Sequence, residues 1–458
     1  MKWACAVSLA VVAVSARASE EAVPPIPGFR YDAGRYLPDE PWREGQPRVS
    51  GLQHPFPAMA SLEENPVTPE RVSLGKLLYF DPLLSGDNTI SCAHCHHPDF
   101  GFSDGRTTSM GVGGVGVGPD RTGGQRLPRA APTIWNAAYN HLQFWDGRAA
   151  DLEDQADKPI RSNIEMNQDP NELVEELLDV PEYVALFDAA FDPLGADTVT
   201  YENVLKAIGA FERTLLSFNS RFDRYTQGDA DALTDEEKRG LALFRSVKTR
   251  CFECHHMPTF ADEAFRVIGV PNSRHDPGRA GVPGQGPDGG FKVPTLRNVA
   301  LTAPYMHNGA FETLEEVIQF YADGAGRVEA NPVPGIDDKI HKFPMTDWEV
   351  TDLAAFLRAL TDTSLQPDAP ARVPSGLPVV AVTSRAVPAP PPVQLARAEN
   401  DQEAAANSEA GQPAIRPDVR GAFERRDAAT SAAAVFTVSP GELIQAAIDR
   451  AEPGDRIE

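Results

Sequence analysis

The chain has 458 residues, long enough for two or three domains, and sets 42 Lys and Arg against 66 Asp and Glu for a formal net charge of −24. That acidity argues against nucleic acid as a partner and suits a basic redox protein or plain solubility. Beyond the N-terminus no apolar stretch reaches the length of a membrane helix, so no membrane span is expected.

Residues 1–18 read as a signal peptide. Lys2 precedes an apolar run from Trp3 to Val14, and Ala16-Arg17-Ala18 offers small residues for cleavage. Export of this kind places the mature protein in a periplasm or an equivalent compartment. Residues 19–68, rich in Pro and Glu without sustained periodicity, are expected to form an irregular arm. From Pro69 the apolar positions Val72, Leu74, Leu77, Leu78 and Phe80 keep a helical period that ends at Asp81-Pro82. That helix leads to Cys92-Ala93-His94-Cys95-His96.

The same Cys-x-x-Cys-His spacing returns at Cys251-Phe252-Glu253-Cys254-His255, and the fifth cysteine, Cys5, lies in the signal peptide. Two thiols three residues apart can add to the two vinyl groups of one porphyrin, leaving the adjoining imidazole beneath the iron. Cys-x-x-Cys also serves zinc sites and thiol-disulfide exchange. No further Cys is present to complete a four-cysteine site. Two covalently bound haem c groups are therefore the preferred reading, with a redox dithiol or a His-completed metal site as alternatives. The doubled His97 and His256 read as packing or surface residues.

Between the motifs, the glycines from Gly111 to Gly124 lack the Gly-Lys-Ser/Thr ending of a phosphate cradle and predict a flexible surface loop. Helical patterns follow over Leu173 to Leu178 and Tyr201 to Leu216. The second half repeats the plan. A capping box at Thr234 to Glu237 opens a helix through Phe244 into the second haem motif. Further boxes at Thr313 to Glu316 and Thr346 to Glu349 open helices through Tyr321 and through Leu360. The expected fold is mainly α, with two cytochrome c-like haem domains over residues 69–228 and 229–363. A Pro/Ala-rich linker, expected to be disordered, covers 364–432. Residues 433–458 resemble the start of a right-handed parallel β-helix, which needs several coils to bury a core and so suggests a fragment of a longer protein.

Over about Pro69 to Asp362 the chain resembles the bacterial dihaem cytochrome c peroxidase and MauG family. Besides the haem motifs, the resemblance is carried by Gly75-Lys76-Leu77-Leu78-Tyr79-Phe80-Asp81, Phe144-Trp145-Asp146-Gly147-Arg148-Ala149 and Ile164-Glu165-Met166-Asn167. Val293-Pro294-Thr295-Leu296-Arg297-Asn298 and Pro304-Tyr305-Met306-His307-Asn308-Gly309 complete it, in order.

The resemblance implies that the haem of Cys92, Cys95 and His96 reacts with hydrogen peroxide while the haem of Cys251, Cys254 and His255 passes electrons. It makes Glu165 the catalytic acid and base, Gln155 its companion, and Trp145 a relay between the haems. Family peroxidases that need reductive activation place a loop His on the first iron. Here no His lies between His97 and His141, which predicts an iron open to peroxide at rest. At the far side of the second iron, where peroxidases have Met, counting from Pro304 gives Tyr321, as in MauG-type enzymes. Met306, His307 or Met345 are the alternatives. Thr302 and Pro304 match the carbonyl ligands of a calcium ion, but Ala130 stands where an Asn ligand is expected.

The expected function is periplasmic peroxide reduction, with electrons from a small redox protein such as a cytochrome c or a cupredoxin. The alternative is MauG-like oxidation of residues in a protein substrate through a high-valent dihaem state. A non-catalytic electron-transfer cytochrome, or a haem module serving adhesion, is the third reading. Family peroxidases often form a homodimer.

Overall fold

The computed structural model describes residues 65–191, 197–271, 275–327, 333–364 and 369–383, together with the backbone of four short strands outside them. The signal peptide, most of the arm, residues 384–432 of the linker and most of the β-helix start lie outside the described residues. The chain divides into two units, Met1–Val387 and Pro388–Glu458. In the first, β1 (Phe29–Asp32) and β2 (Arg35–Pro38) pair antiparallel. In the second, the strands Val435–Phe436 and Arg456–Ile457 pair in parallel.

Helices supply most of the remaining order. Thr68 caps α1 (Pro69–Phe80) by accepting from the Arg71 N–H, Pro69 sits at the first helical position, and Asp81-Pro82 ends the helix. After the haem turn α2 (Cys92–Cys95) come α3 (Leu152–Arg161), α4 (Pro170–Leu178), α5 (Pro181–Phe191) and α6 (Tyr201–Glu212). The short α7 (Arg221–Thr226) leads to α8 (Asp235–Phe244), α9 (Leu314–Ala322) and α10 (Asp347–Ala359). Capping boxes close the starts of α8, α9 and α10 at the residues the sequence singles out.

Each haem domain is built on one close helix crossing, and each crossing depends on a glycine. A side chain at Gly75 of α1 would stand 1.9 Å from the Ala207 carbonyl oxygen of α6, and one at Gly240 of α8 would stand 2.0 Å from the Asp352 carbonyl oxygen of α10. Backbones can approach that closely only where a Cβ is missing. Around the first crossing, Leu74, Leu78, Leu173, Phe187, Val204 and Ile208 pack together, and Cys92 and Cys95 lie against them. Around the second, Phe244, Phe260, Leu353 and Phe356 enclose Cys251.

A buried ion pair ties the loop bearing Arg297 to the short helix α7. Arg297 is 1% exposed and Asp223 5%. Two hydrogen bonds of 2.8 Å link them, and Arg297 Nε also donates to the Pro258 carbonyl at 2.8 Å. Burial alone would raise the Asp223 carboxyl, but the Arg297 charge and hydrogen bonds outweigh it and hold it below its ordinary value. Next to this pair, Asp362 accepts from the Phe218 and Asn219 N–H groups at 2.9 and 2.7 Å, while its own N–H donates to Asn298.

The structure corrects the expected linker. Residues 369–383 do not lead away from the haem domains; they form a strap on the first one. Val373 and Val380 are buried in the cluster that holds Tyr79, Phe102 and Trp135. The Ser375 hydroxyl donates to Asp81 at 2.7 Å, and the Thr383 N–H and hydroxyl both donate to Asp99. Pro and Ala content suggests an extended chain, as found, but the spaced valines carry the apolar contact that anchors it.

Replacing Asp223 with Asn leaves the Arg297 charge buried without its partner. Such a change costs about 3–5 kcal/mol, to be measured by denaturant unfolding at neutral pH. The pair stabilises fully above the unfolded aspartate pKa and is lost as pH falls through the lower folded value, so the variant's deficit shrinks in acid.

Candidate active site

The first haem motif is a single helical turn whose residues are fixed from several sides. The Ser91 N–H donates to His94 Nδ1 at 2.9 Å, and the Tyr79 hydroxyl donates to the His96 carbonyl at 2.5 Å. His96 Nδ1 lies 3.1 Å from the Phe102 carbonyl. An Nδ1–H given to a carbonyl leaves Nε2 as the nitrogen for a metal. The second motif repeats this, with His255 Nδ1 3.0 Å from the Phe260 carbonyl. Burial lowers both imidazoles, His255 to about 4, so each is neutral and able to ligate at physiological pH.

The thiols bear on the alternatives. Burial raises all four, Cys95 to about 12 and Cys251 to about 11. A reactive redox dithiol has the opposite shift. None of the four is in a disulfide, and no cluster of three or more His, Cys, Asp or Glu suited to a metal ion occurs among the described residues. Two thiols beside a carbonyl-oriented neutral imidazole, set in an aromatic and aliphatic lining, fit a haem c at each motif.

Glu165 lies in the connection between α3 and α4. Its N–H donates to the Ser162 carbonyl at 3.0 Å, and its carbonyl accepts from the Val112 N–H at 2.7 Å. Partial burial raises its carboxyl above the ordinary value, opposed by a hydrogen bond with Ser162 and by the Arg148 charge. Its charge in turn helps raise Cys95, which puts it on the first motif's side of the fold. Gln155 is partly buried on α3.

The glycine-rich segment that grips this turn departs from the flexible loop expected. Arg121, 2% exposed, donates to the carbonyls of Met110, Gly116 and Gly111 at 2.9 to 3.0 Å. Arg106 donates to the carbonyls of Gly118, Pro119 and Arg121. The segment is thus wound around two guanidinium groups, with a small hairpin of β3 (Gly114–Val115) and β4 (Thr122–Gly123). A Cβ at Gly111 would stand 1.9 Å from the Ile164 carbonyl oxygen.

Trp145 is held between the segments that bear Ala130 and Lys292. Its indole N–H donates to the Ala130 carbonyl at 2.9 Å, and its carbonyl accepts from the Lys292 N–H at 2.8 Å. Asp146 holds Arg129 at 2.6 Å and Arg148 at 3.0 Å, and Arg129 also pairs with Asp276 of the second domain at 2.7 Å.

A family model described as di-haem cytochrome c peroxidase matches residues 69–231. The methylamine utilization protein MauG of Methylorubrum extorquens is 39% identical over 319 residues, spanning 68% of this chain and 82% of that one. The chain belongs to the di-haem cytochrome c peroxidase and MauG family. The cytochrome c551 peroxidase of Nitrosomonas europaea is 38% identical over 311 residues, spanning 66% and 83%. A solved MauG-like protein associated with microbial copper homeostasis superposes with a TM-score of 0.61 at 32% identity, covering 71% of this chain and 97% of that one. As a di-haem peroxidase-family protein, the chain is an oxidoreductase that uses peroxide and carries haem c.

Tyr321 stands near the second motif of this di-haem protein. Burial, followed by the charges of Cys254 and Cys251, raises its hydroxyl, which makes no hydrogen bond among the described residues. Of the alternatives, His307 stacks on Phe291 with ring centroids 3.8 Å apart, and Met345 packs on the core of the second domain. At the position of the expected Asn ligand for calcium, Ala130 has no side-chain oxygen, and its carbonyl accepts the Trp145 indole N–H. No motif pointed to Arg121, the Tyr79 hydroxyl or the strap. Tyr79 alone carried a signal, inside Gly75 to Asp81.

Gly111→Ala forces the Glu165 turn to shift. A displacement of that size is expected to slow the reaction with peroxide by about a hundredfold, read by stopped-flow absorbance, while both motifs keep their haem.

Proposed function

We propose that the chain reduces hydrogen peroxide at the haem held by Cys92, Cys95 and His96, outside the cytoplasm. Electrons enter through the haem held by Cys251, Cys254 and His255 from a small redox protein, a cytochrome c or a cupredoxin. The overall reaction takes two electrons and two protons per peroxide and yields two waters. The bound haem supplies the iron at which the peroxide oxygens separate. The observation that carries the reading is Glu165, partly buried, raised by that burial, and fixed by the Gly111 segment on the side of the first motif. A carboxylate so placed takes a proton from the near peroxide oxygen and returns it to the far one. Gln155, on the helix before it, orients peroxide or water by hydrogen bonds, and Trp145 carries electrons across the seam.

A second reading has its own support. Tyr321, whose hydroxyl feels the charges of Cys254 and Cys251, supports it as the residue that would ligate the second iron. A phenolate, a hard anion, favours the oxidised metal and disfavours easy uptake of electrons from cytochrome c. That arrangement suits MauG-like oxidation of a partner protein.

Turnover of peroxide with reduced cytochrome c tests the first reading. Glu165→Gln is expected to lower the rate by roughly 10²–10⁴-fold. Because the working form is the carboxylate, the wild-type rate falls as pH drops through a pKa above the ordinary 4.5 of glutamate, and the Gln variant loses that inflection. A wild type that ignores cytochrome c, with Tyr321→Met gaining turnover and a sulfur-to-iron band, favours the second reading.

A further inference from the structure

The chain runs one local plan twice, and its landmarks can be matched residue by residue. The hydroxyls of Thr133 and Thr295 each donate to a carbonyl of their own haem loop, Gly101 at 2.7 Å and Thr259 at 2.6 Å. Asn136 and Asn298 follow, both left-handed at φ 59°. Then come Phe144 and Met306 at φ 68° and 74°, and Gly147 and Gly309 at φ 66° and 64°. Backbone bridges Gln143 to Ala149 and Tyr305 to Phe311 close the two turns. On these landmarks Trp145 and His307 occupy the same position in the two halves.

The matched residues also meet in space. Their ring centroids are 6.5 Å apart at 71°, an edge-to-face contact. Ala130 ties them together, since its N–H donates to the His307 carbonyl at 2.8 Å and its carbonyl accepts the Trp145 indole N–H at 2.9 Å. Phe291 stacks on the other face of the seam, 3.8 Å from the His307 ring at 14°. His307 is 3% exposed, and its buried Nε2 makes no hydrogen bond among the described residues.

We infer that His307 is the second member of the electron relay between the haems, taking in the second half the role Trp145 takes in the first. The inference rests on the reading of Trp145 as a relay. One electron crosses the paired rings from the side of the second haem to the side of the first. No bond forms or breaks, and each ring returns to its starting state. Burial lowers the His307 imidazole to about 4, with Asp276 and Arg129 opposing each other nearby. A neutral ring adds no charge to oppose a hole on the adjacent indole.

The test is the rate at which an electron, delivered by pulse reduction to the oxidised holoprotein, redistributes between the haems, followed by absorbance. His307→Leu is expected to slow it severalfold, with haem content and both visible spectra unchanged, while His307→Phe keeps the ring and stays near the wild-type rate. If the Leu variant fails to hold both haems, His307→Gln, equally non-aromatic, takes its place with the same expectation. Wild-type transfer in the non-aromatic variant beside slow transfer in Trp145→Phe overturns the role of His307 and leaves that of Trp145. Wild-type rates in both variants overturn the relay reading itself. Equal slowing in the Leu and Phe variants also overturns the inference, because aromaticity is then not what matters.

Discussion

Most of the architecture depends on how two imidazoles are aimed. His96 and His255 each present Nδ1 to the carbonyl of a phenylalanine, Phe102 and Phe260, held left-handed at φ 58° and 55°. A non-glycine residue in that region costs about 1–2 kcal/mol, and both rings are fully buried, which offsets the cost. The carbonyl orients the ligand, the ring anchors the carbonyl, and the helix crossing at Gly75 or Gly240 supplies the core into which the ring fits. A change in any of these three moves the imidazole.

From that shared frame the halves diverge. In the first, a loop wound on Arg121 and Arg106 grips the turn that bears Glu165, so an acid with a raised pKa stands by one motif. In the second, helix α9 brings Tyr321 toward Cys254 and Cys251. One frame with two sets of neighbours is the basis for proposing that one site moves protons and the other sets a potential. Trp145, His307 and Phe291 pack together between them.

Local signals made much of this legible. Cys-x-x-Cys-His needs five adjacent residues, and the boxes opening α8, α9 and α10 need four, so both survive without knowledge of the fold. The family resemblance, which includes Gly75-Lys76-Leu77-Leu78-Tyr79-Phe80-Asp81, takes in the span that the family model matches, residues 69–231. What escaped is long-range. Arg121 closes a loop that glycine content alone describes as free, and Arg297 is an arginine whose burial depends on an aspartate 74 residues earlier in the chain. The strap is marked only by valines, such as Val373, that share a cluster with Phe80 and Phe102, nearly three hundred residues earlier in the chain. Composition reports the freedom of a segment alone and misses the partners that remove it.

The central claim is that the first haem stands open and ready, with Glu165 beside it and no histidine in the braced loop to block it. Mixing the oxidised, never-reduced protein with stoichiometric hydrogen peroxide, and recording absorbance and electron paramagnetic resonance before and after, tests this most directly. The account predicts a high-spin signal at rest and an immediate spectral change with loss of peroxide. Two low-spin haems at rest, the first in a bis-histidine state that reacts only after prior reduction, would contradict it.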